Sequence, residues 1–152
     1  LVGAAFMIKT DIFRQMGFFD EYYFFCPEDI ALSTALNRRG YFCYVNASVE
    51  LIHYEGASSG ERISRIKAAT MPAGEKGTIR FLAGSSVMAY ISLTCFSCTM
   101  ALLRSLKYRM QSKTPGDNAS IMSTANRNVV SALLTKKTPK EIFVKYYGRI
   151  KR

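Results

Sequence analysis

A chain of 152 residues that is 49% hydrophobic and 21% charged carries enough apolar side chains for a folded core and too many for a disordered tract. Four cysteines and one histidine exclude a disulfide scaffold and a closed zinc site, and fit a reducing compartment. The net charge of +10 is uneven: residues 1–60 hold four Lys/Arg against seven Asp/Glu, whereas residues 61–152 hold seventeen against four. The second part suits an anionic partner such as lipid headgroups or a diphosphate.

In chain order, Gly3 to Lys9 reads as a buried strand, and a chain opening at Leu1 on such a segment is expected to be a piece of a longer polypeptide. Thr10 to Met16 is expected as a short helix stopped by Gly17. Residues 18–27 form an aromatic loop, and a helix follows from Glu28 to Arg39, closed by Gly40. Tyr41 to Val45 and Val49 to His53 read as strands around a turn at Asn46-Ala47-Ser48. A polar loop runs from Glu55 to Gly60. The pattern of the first part is α/β.

Beyond residue 60 the composition turns helical and basic. Helical spacing from Arg62 to Ala69 is interrupted by Met71-Pro72-Ala73-Gly74. Phe81 to Leu103 is free of charge for 23 residues, long enough to cross a bilayer, with six Ser/Thr and one Gly tempering its apolarity. Interfacial, spanning and buried soluble helices all fit that run. Residues 112–120 are a polar linker, and Asn126 to Leu134 and Pro139 to Ile150 read as short basic helices. The basic residues straddle the apolar run and form no nucleic-acid motif, so nucleic acid is not expected as a partner.

The chemistry-bearing stretch is Gly17 to Asp29, where aromatic residues crowd around Asp20-Glu21 and Glu28-Asp29. Carboxylates among rings are either held by hydrogen bonds or poised for proton transfer. Pro27 pre-sets a helix start, and exposed N–H groups there keep Glu28 and Asp29 ionised, as a general base requires. Stabilisation of the helix start alone is the other reading of the same pair.

Gly3-Ala4-Ala5-Phe6-Met7-Ile8, Gly17-Phe18-Phe19-Asp20-Glu21, Glu28-Asp29, Gly40-Tyr41 and His53, in that order, resemble the acceptor-side half of family 2 glycosyltransferases, most of all the bacterial rhamnosyltransferase type. The resemblance covers roughly residues 1–60. It implies the C-terminal half of a GT-A, Rossmann-like mixed α/β sheet over residues 1–70, followed by a mostly α-helical, basic, membrane-associating region over 71–152. By the same resemblance Asp29 is the catalytic base, and Glu28, Asp20, Glu21, Phe19, Tyr22 and Arg62 contact substrate. His53 sits near the diphosphate and a divalent metal, Mg²⁺ or Mn²⁺, whose main ligands belong to the donor half.

The implied activity is inverting transfer of a sugar, rhamnose among the candidates, from a nucleotide-diphosphate donor to a saccharide or lipid-linked acceptor in polysaccharide biosynthesis. The implied place is the cytoplasmic face of the inner membrane, peripheral or single-span, on an anionic surface. The alternative is a basic membrane adaptor without chemistry. Two departures stand out: Ile30-Ala31-Leu32 and Ala35 occupy a stretch where the family often has a further acid and an arginine, and no Asp-x-Asp donor motif occurs, so the chain alone is expected to be inactive.

Overall fold

The computed structural model describes residues 5–52 and 63–150, with the side chains of 63–65 and 149–150 outside that description. Among the described residues six helices follow one another: α1 (Thr10–Gln15), α2 (Glu28–Arg38), α3 (Ile63–Ala83), α4 (Val87–Gln111), α5 (Asn118–Leu133) and α6 (Pro139–Ile150). Among the described residues there is no strand. This overturns the expected GT-A, Rossmann-like mixed sheet.

The physical reason is that β-rich composition makes a strand only where a second backbone lies alongside. Around the turn at 46–48 no such partner stands among the described residues, and Phe42, Tyr44, Val45 and Ile52 are all more than three-quarters exposed. The turn itself forms, with the Asn46 carboxamide oxygen accepting from the Ser48 N–H at 3.1 Å and its hydroxyl at 2.7 Å.

Local signals fare better. Gly17 and Gly40 end α1 and α2 with positive φ of 80° and 83°, each inside a paired C-terminal motif. In α1, Phe18 N–H donates to Phe13 O and Gly17 N–H to Arg14 O, both at 3.0 Å; Tyr41 to Leu36 and Gly40 to Asn37 repeat the arrangement in α2. Arg39 ties the two helices, its guanidinium donating to Gln15 O at 2.7 Å. In α6, Pro139 starts the helix behind Thr138, whose N–H and hydroxyl both donate to the Glu141 carboxylate at 2.7 and 2.9 Å.

Helices α3 to α6 form the packed unit, α5 lying against both α3 and α4, and α6 against α3. Two clusters make the core. One joins Ala69 and Ala73 to Ala132, Ile142 and Tyr146; the other joins Ile79, Ala101, Val129 and Leu133. Four of these nine residues are alanines, and larger aliphatic side chains and Tyr146 supply the rest.

Two expected breaks behave differently from the sequence reading. Pro72 does not interrupt α3, which runs through it and buries it fully. The uncharged run from Phe81 to Leu103 is divided at Gly84-Ser85-Ser86, where Ser86 caps α4 by accepting the Ala89 N–H at 3.2 Å. Gly followed by Ser-Ser before an apolar stretch is a stop-and-start signal that the lack of charge overshadowed.

Lys76 is buried on α3 and caps α5 from outside, donating to Ala132 O at 3.1 Å and to Thr135 O. Burial pushes its ammonium below the usual lysine range, while the carbonyl ends of α5 supply compensating acceptors.

Helix α4 has an inverted polarity. Ser97, Ala101 and Ser105, four residues apart, face inward, and Ser105 and Ser123 exchange hydroxyl-to-carbonyl bonds at 3.1 and 3.0 Å. Its large apolar residues, among them Val87, Met88, Ile91, Phe96, Leu102 and Met110, are at least half exposed. The helix is 25 residues long with a mean hydropathy of 1.5 in its most apolar stretch, of which only 11% is buried. A soluble core helix of that composition would be mostly buried. By length and composition α4 is long and apolar enough to cross a membrane.

Candidate functional site

The aromatic loop is positioned by two glycines. A methyl group on Gly74 would stand 2.9 Å from Phe25 O, and one on Gly77 would stand 2.6 Å from Cys26 O. The loop backbone therefore lies directly on α3. Rings pin it on either side: Phe24 and Phe25 meet Phe143 of α6 at 5.2 and 6.2 Å, and Tyr23 meets Phe81 of α3 at 6.2 Å. The Cys26–Pro27 peptide is cis.

Between this loop and the α3–α4 turn lies a hollow of about 560 Å³. The loop contributes Asp20, Tyr22 and Tyr23, and α3 contributes Arg80 near its end. The α3–α4 turn contributes Gly84, Ser85 and Ser86, and α4 contributes Val87 and Tyr90. Asp20 accepts the Tyr22 N–H at 2.9 Å through its carboxylate and the Tyr23 N–H at 3.0 Å through its carbonyl. Burial, together with Tyr90 nearby, raises the Tyr22 phenol above its ordinary range, against an opposing pull from Arg80. Its hydroxyl stays protonated at neutral pH and available as a donor.

Of the expected substrate contacts, Asp20 and Tyr22 reach this hollow. Phe19 does not line it; its ring packs edge-on against Phe6 and Phe13 at 6.0 and 5.3 Å beside α1. Glu21 is exposed at the loop turn. Glu28 and Asp29 occupy the first turn of α2, as their sequence context implies. The Glu28 carboxylate accepts the Cys26 N–H, and Asp29 accepts the Ile30 N–H at 2.8 Å. Asp29 is half-buried and lines neither this hollow nor the smaller one between Phe25 and Met122.

His53 and Arg62 lie outside the described residues. Among the described residues, no three His, Cys, Asp or Glu side chains stand close enough to hold a metal ion. The expected Mg²⁺ or Mn²⁺ contact, with His53 here and the main ligands in the donor half, lies outside the described residues.

Sequence reasoning missed Tyr23, Arg80, Ser85, Ser86 and Tyr90. No local pattern marks them, because they converge only when the loop docks on the α3–α4 corner.

No family model matches the chain, and no solved structure matches it. It is similar to N-acetylglucosaminyl-diphospho-decaprenol L-rhamnosyltransferase of Mycobacterium tuberculosis, with 34% identity over 83 residues, in strains CDC 1551 / Oshkosh and ATCC 25618 / H37Rv alike. The matched segment is 55% of this chain and 26% of each relative, so the chain spans about a quarter of the curated proteins it matches. The chain thus has a glycosyltransferase-like relationship over part of its length.

Proposed function

We propose that this chain is part of an inverting glycosyltransferase that acts on a lipid-linked saccharide at a membrane, with a nucleotide-diphosphate sugar as donor and rhamnose among the candidate sugars. The observation that carries the reading is the 34% identity to a rhamnosyltransferase whose named acceptor is a diphospho-decaprenol. The outward apolar face of α4 supports it from the structure, because an enzyme of a lipid-linked acceptor must meet a bilayer. The basic excess of residues 61–152 adds attraction to an anionic surface on the cytoplasmic side. Mg²⁺ or Mn²⁺ stays part of this reading, with no described residue assigned to it.

In this reaction the acceptor hydroxyl oxygen attacks the anomeric carbon as the bond from that carbon to the diphosphate oxygen breaks. The nucleoside diphosphate leaves with the bonding electron pair, and the hydroxyl proton passes to Asp29. A carboxylate serves as this base when it stands within hydrogen-bond reach of the hydroxyl. Because Asp29 lines neither hollow, the acceptor hydroxyl has to be presented to it at the rim of α2.

A second reading, a non-catalytic basic membrane adaptor, is favoured by one observation: Glu28 and Asp29 both accept backbone N–H groups at the start of α2. The full-length enzyme carrying Asp29→Asn separates the two. Loss of at least about a hundredfold in sugar transfer with helical content unchanged is expected of a general base. Unchanged transfer would assign Asp29 to the helix start alone.

A further inference from the structure

The hollow beside α4 has a composition that selects its occupant. Asp20 and Arg80 line the same space, so their formal charges cancel across it. A free anion there would meet the Asp20 carboxylate, and a free cation would meet the Arg80 guanidinium. A neutral polyhydroxylated ring uses both, since the carboxylate accepts two hydroxyl donors and the guanidinium donates to ring or hydroxyl oxygens. Tyr22, Tyr23 and Tyr90 add aromatic surfaces for sugar C–H faces, and phenol groups for hydroxyls. The volume lies within the range of about 300–1,000 Å³ typical of small-molecule sites.

One wall leads elsewhere. Val87 lines the hollow, is 71% exposed, and begins the outward apolar face that continues through Met88 and Ile91. A polar hollow opening onto an apolar helix face suits a ligand with a saccharide at one end and a hydrocarbon chain at the other.

We infer that this hollow seats the saccharide head of a lipid-linked acceptor, with Arg80 and Tyr90 of the helical region as specificity-determining contacts and the lipid running along α4. The inference rests on the proposed function for the class of acceptor. It adds where that acceptor binds and which residues read its sugar. Asp20 and Arg80 both bond hydroxyls from the lining of the hollow, and Tyr90 supplies the ring platform from α4. The side chains of Asp20 and Arg80 are exposed and belong to neither core cluster, although each also holds local backbone: Asp20 accepts the Tyr22 N–H at 2.9 Å and Arg80 donates to Gly84 O at 3.3 Å.

The test is equilibrium binding to the full chain in nanodiscs, read by tyrosine fluorescence with no sugar donor present; the chain has nine tyrosines and no tryptophan. Three probes are compared: farnesyl diphosphate bearing one N-acetylglucosamine, farnesyl diphosphate alone, and inorganic diphosphate. The sugar-bearing probe is expected to bind about tenfold tighter than farnesyl diphosphate, a difference of about 1.4 kcal/mol. Asp20→Asn and Arg80→Gln should each abolish that preference while leaving the affinity for farnesyl diphosphate unchanged. Tyr22→Phe, which removes one hydroxyl, should weaken only the sugar-bearing probe. Equal binding of the two prenyl probes, or variants that keep the preference, would overturn the assignment. Inorganic diphosphate matching the sugar-bearing probe would overturn it as well. Transfer lost in Asp29→Asn alongside an absent sugar preference would leave the enzyme reading standing and move the acceptor site elsewhere.

Discussion

Asn128 donates from its side-chain amide to Ala68 O at 2.9 Å, and Ala68 is the residue four before Pro72. Proline has no N–H, so Pro72 leaves that carbonyl without its helical donor, a defect that costs about 3 kcal/mol or more inside a helix. The side chain of α5 supplies the missing bond, and α3 continues. Tyr146 fastens the same residue from α6, its hydroxyl donating to Asn128 O at 3.4 Å.

Asn128→Ala should therefore destabilise the bundle by about 1–3 kcal/mol, the cost of leaving a shielded carbonyl unpaired. In a Pro72→Ala background the same change should cost markedly less, because alanine restores the backbone donor. A double-mutant cycle by denaturant unfolding measures the coupling, and additive effects would break the link between the two positions.

Gly77→Ala should lower stability although alanine favours helix by about 1 kcal/mol. The added methyl would meet Cys26 O at 2.6 Å, a backbone atom that cannot turn aside. Overpacking of this kind costs about 1–3 kcal/mol, so the clash outweighs the helical gain. The Tm checks the sign. An increase would mean that the aromatic loop does not rest on α3.

Asp117 caps α5 and accepts the N–H of Ser120 at 2.6 Å, of Lys113 at 2.8 Å and of Thr114 at 3.2 Å. These donors hold its carboxyl down from 3.8 to about 2. A depressed folded-state value means that the contribution is fully present above about pH 4 and fades as pH falls through about 2. Asp117→Asn should lower Tm at neutral pH, and the gap from the unsubstituted chain should narrow between about pH 4 and pH 2. Parallel Tm profiles across that window would contradict the cap.

The outward face of α4 offers a direct reading of membrane contact. Ile91→Asp with Leu102→Asp should reduce flotation with anionic liposomes while leaving helicity intact, since both side chains are half exposed. Asp introduced at Lys137, a basic residue outside α4, serves as the charge control. Equal loss from the control variant would assign binding to charge rather than to the apolar face.

Much of the local structure was legible from residue order. Gly17 and Gly40 close their helices, Asn46 makes its turn, Glu28 and Asp29 open α2, and Pro139 opens α6, because each signal acts within a turn or two of itself. The same reading failed wherever the partner was distant. Residues 41–45 have strand-forming side chains but no neighbouring backbone to pair with among the described residues, so the expected sheet does not form there. Pro72 looked like a break because its remedy, Asn128, lies 56 positions away.

The candidate site divides along the same line. Asp20 and Tyr22 drew attention through their crowded acidic and aromatic setting, and they do line the hollow. Arg80 and Tyr90 are ordinary residues in the sequence, and only the docking of the loop on the α3–α4 corner brings them into one hollow with Asp20. By itself the sequence determined the ends of α1 and α2 and the start of α6, and that an apolar run lies inside a basic region. Tertiary packing decided which side of that run faces outward, because burial of the small side chains Ser97, Ala101 and Ser105 against α3 and α5 leaves the large apolar ones exposed among the described residues.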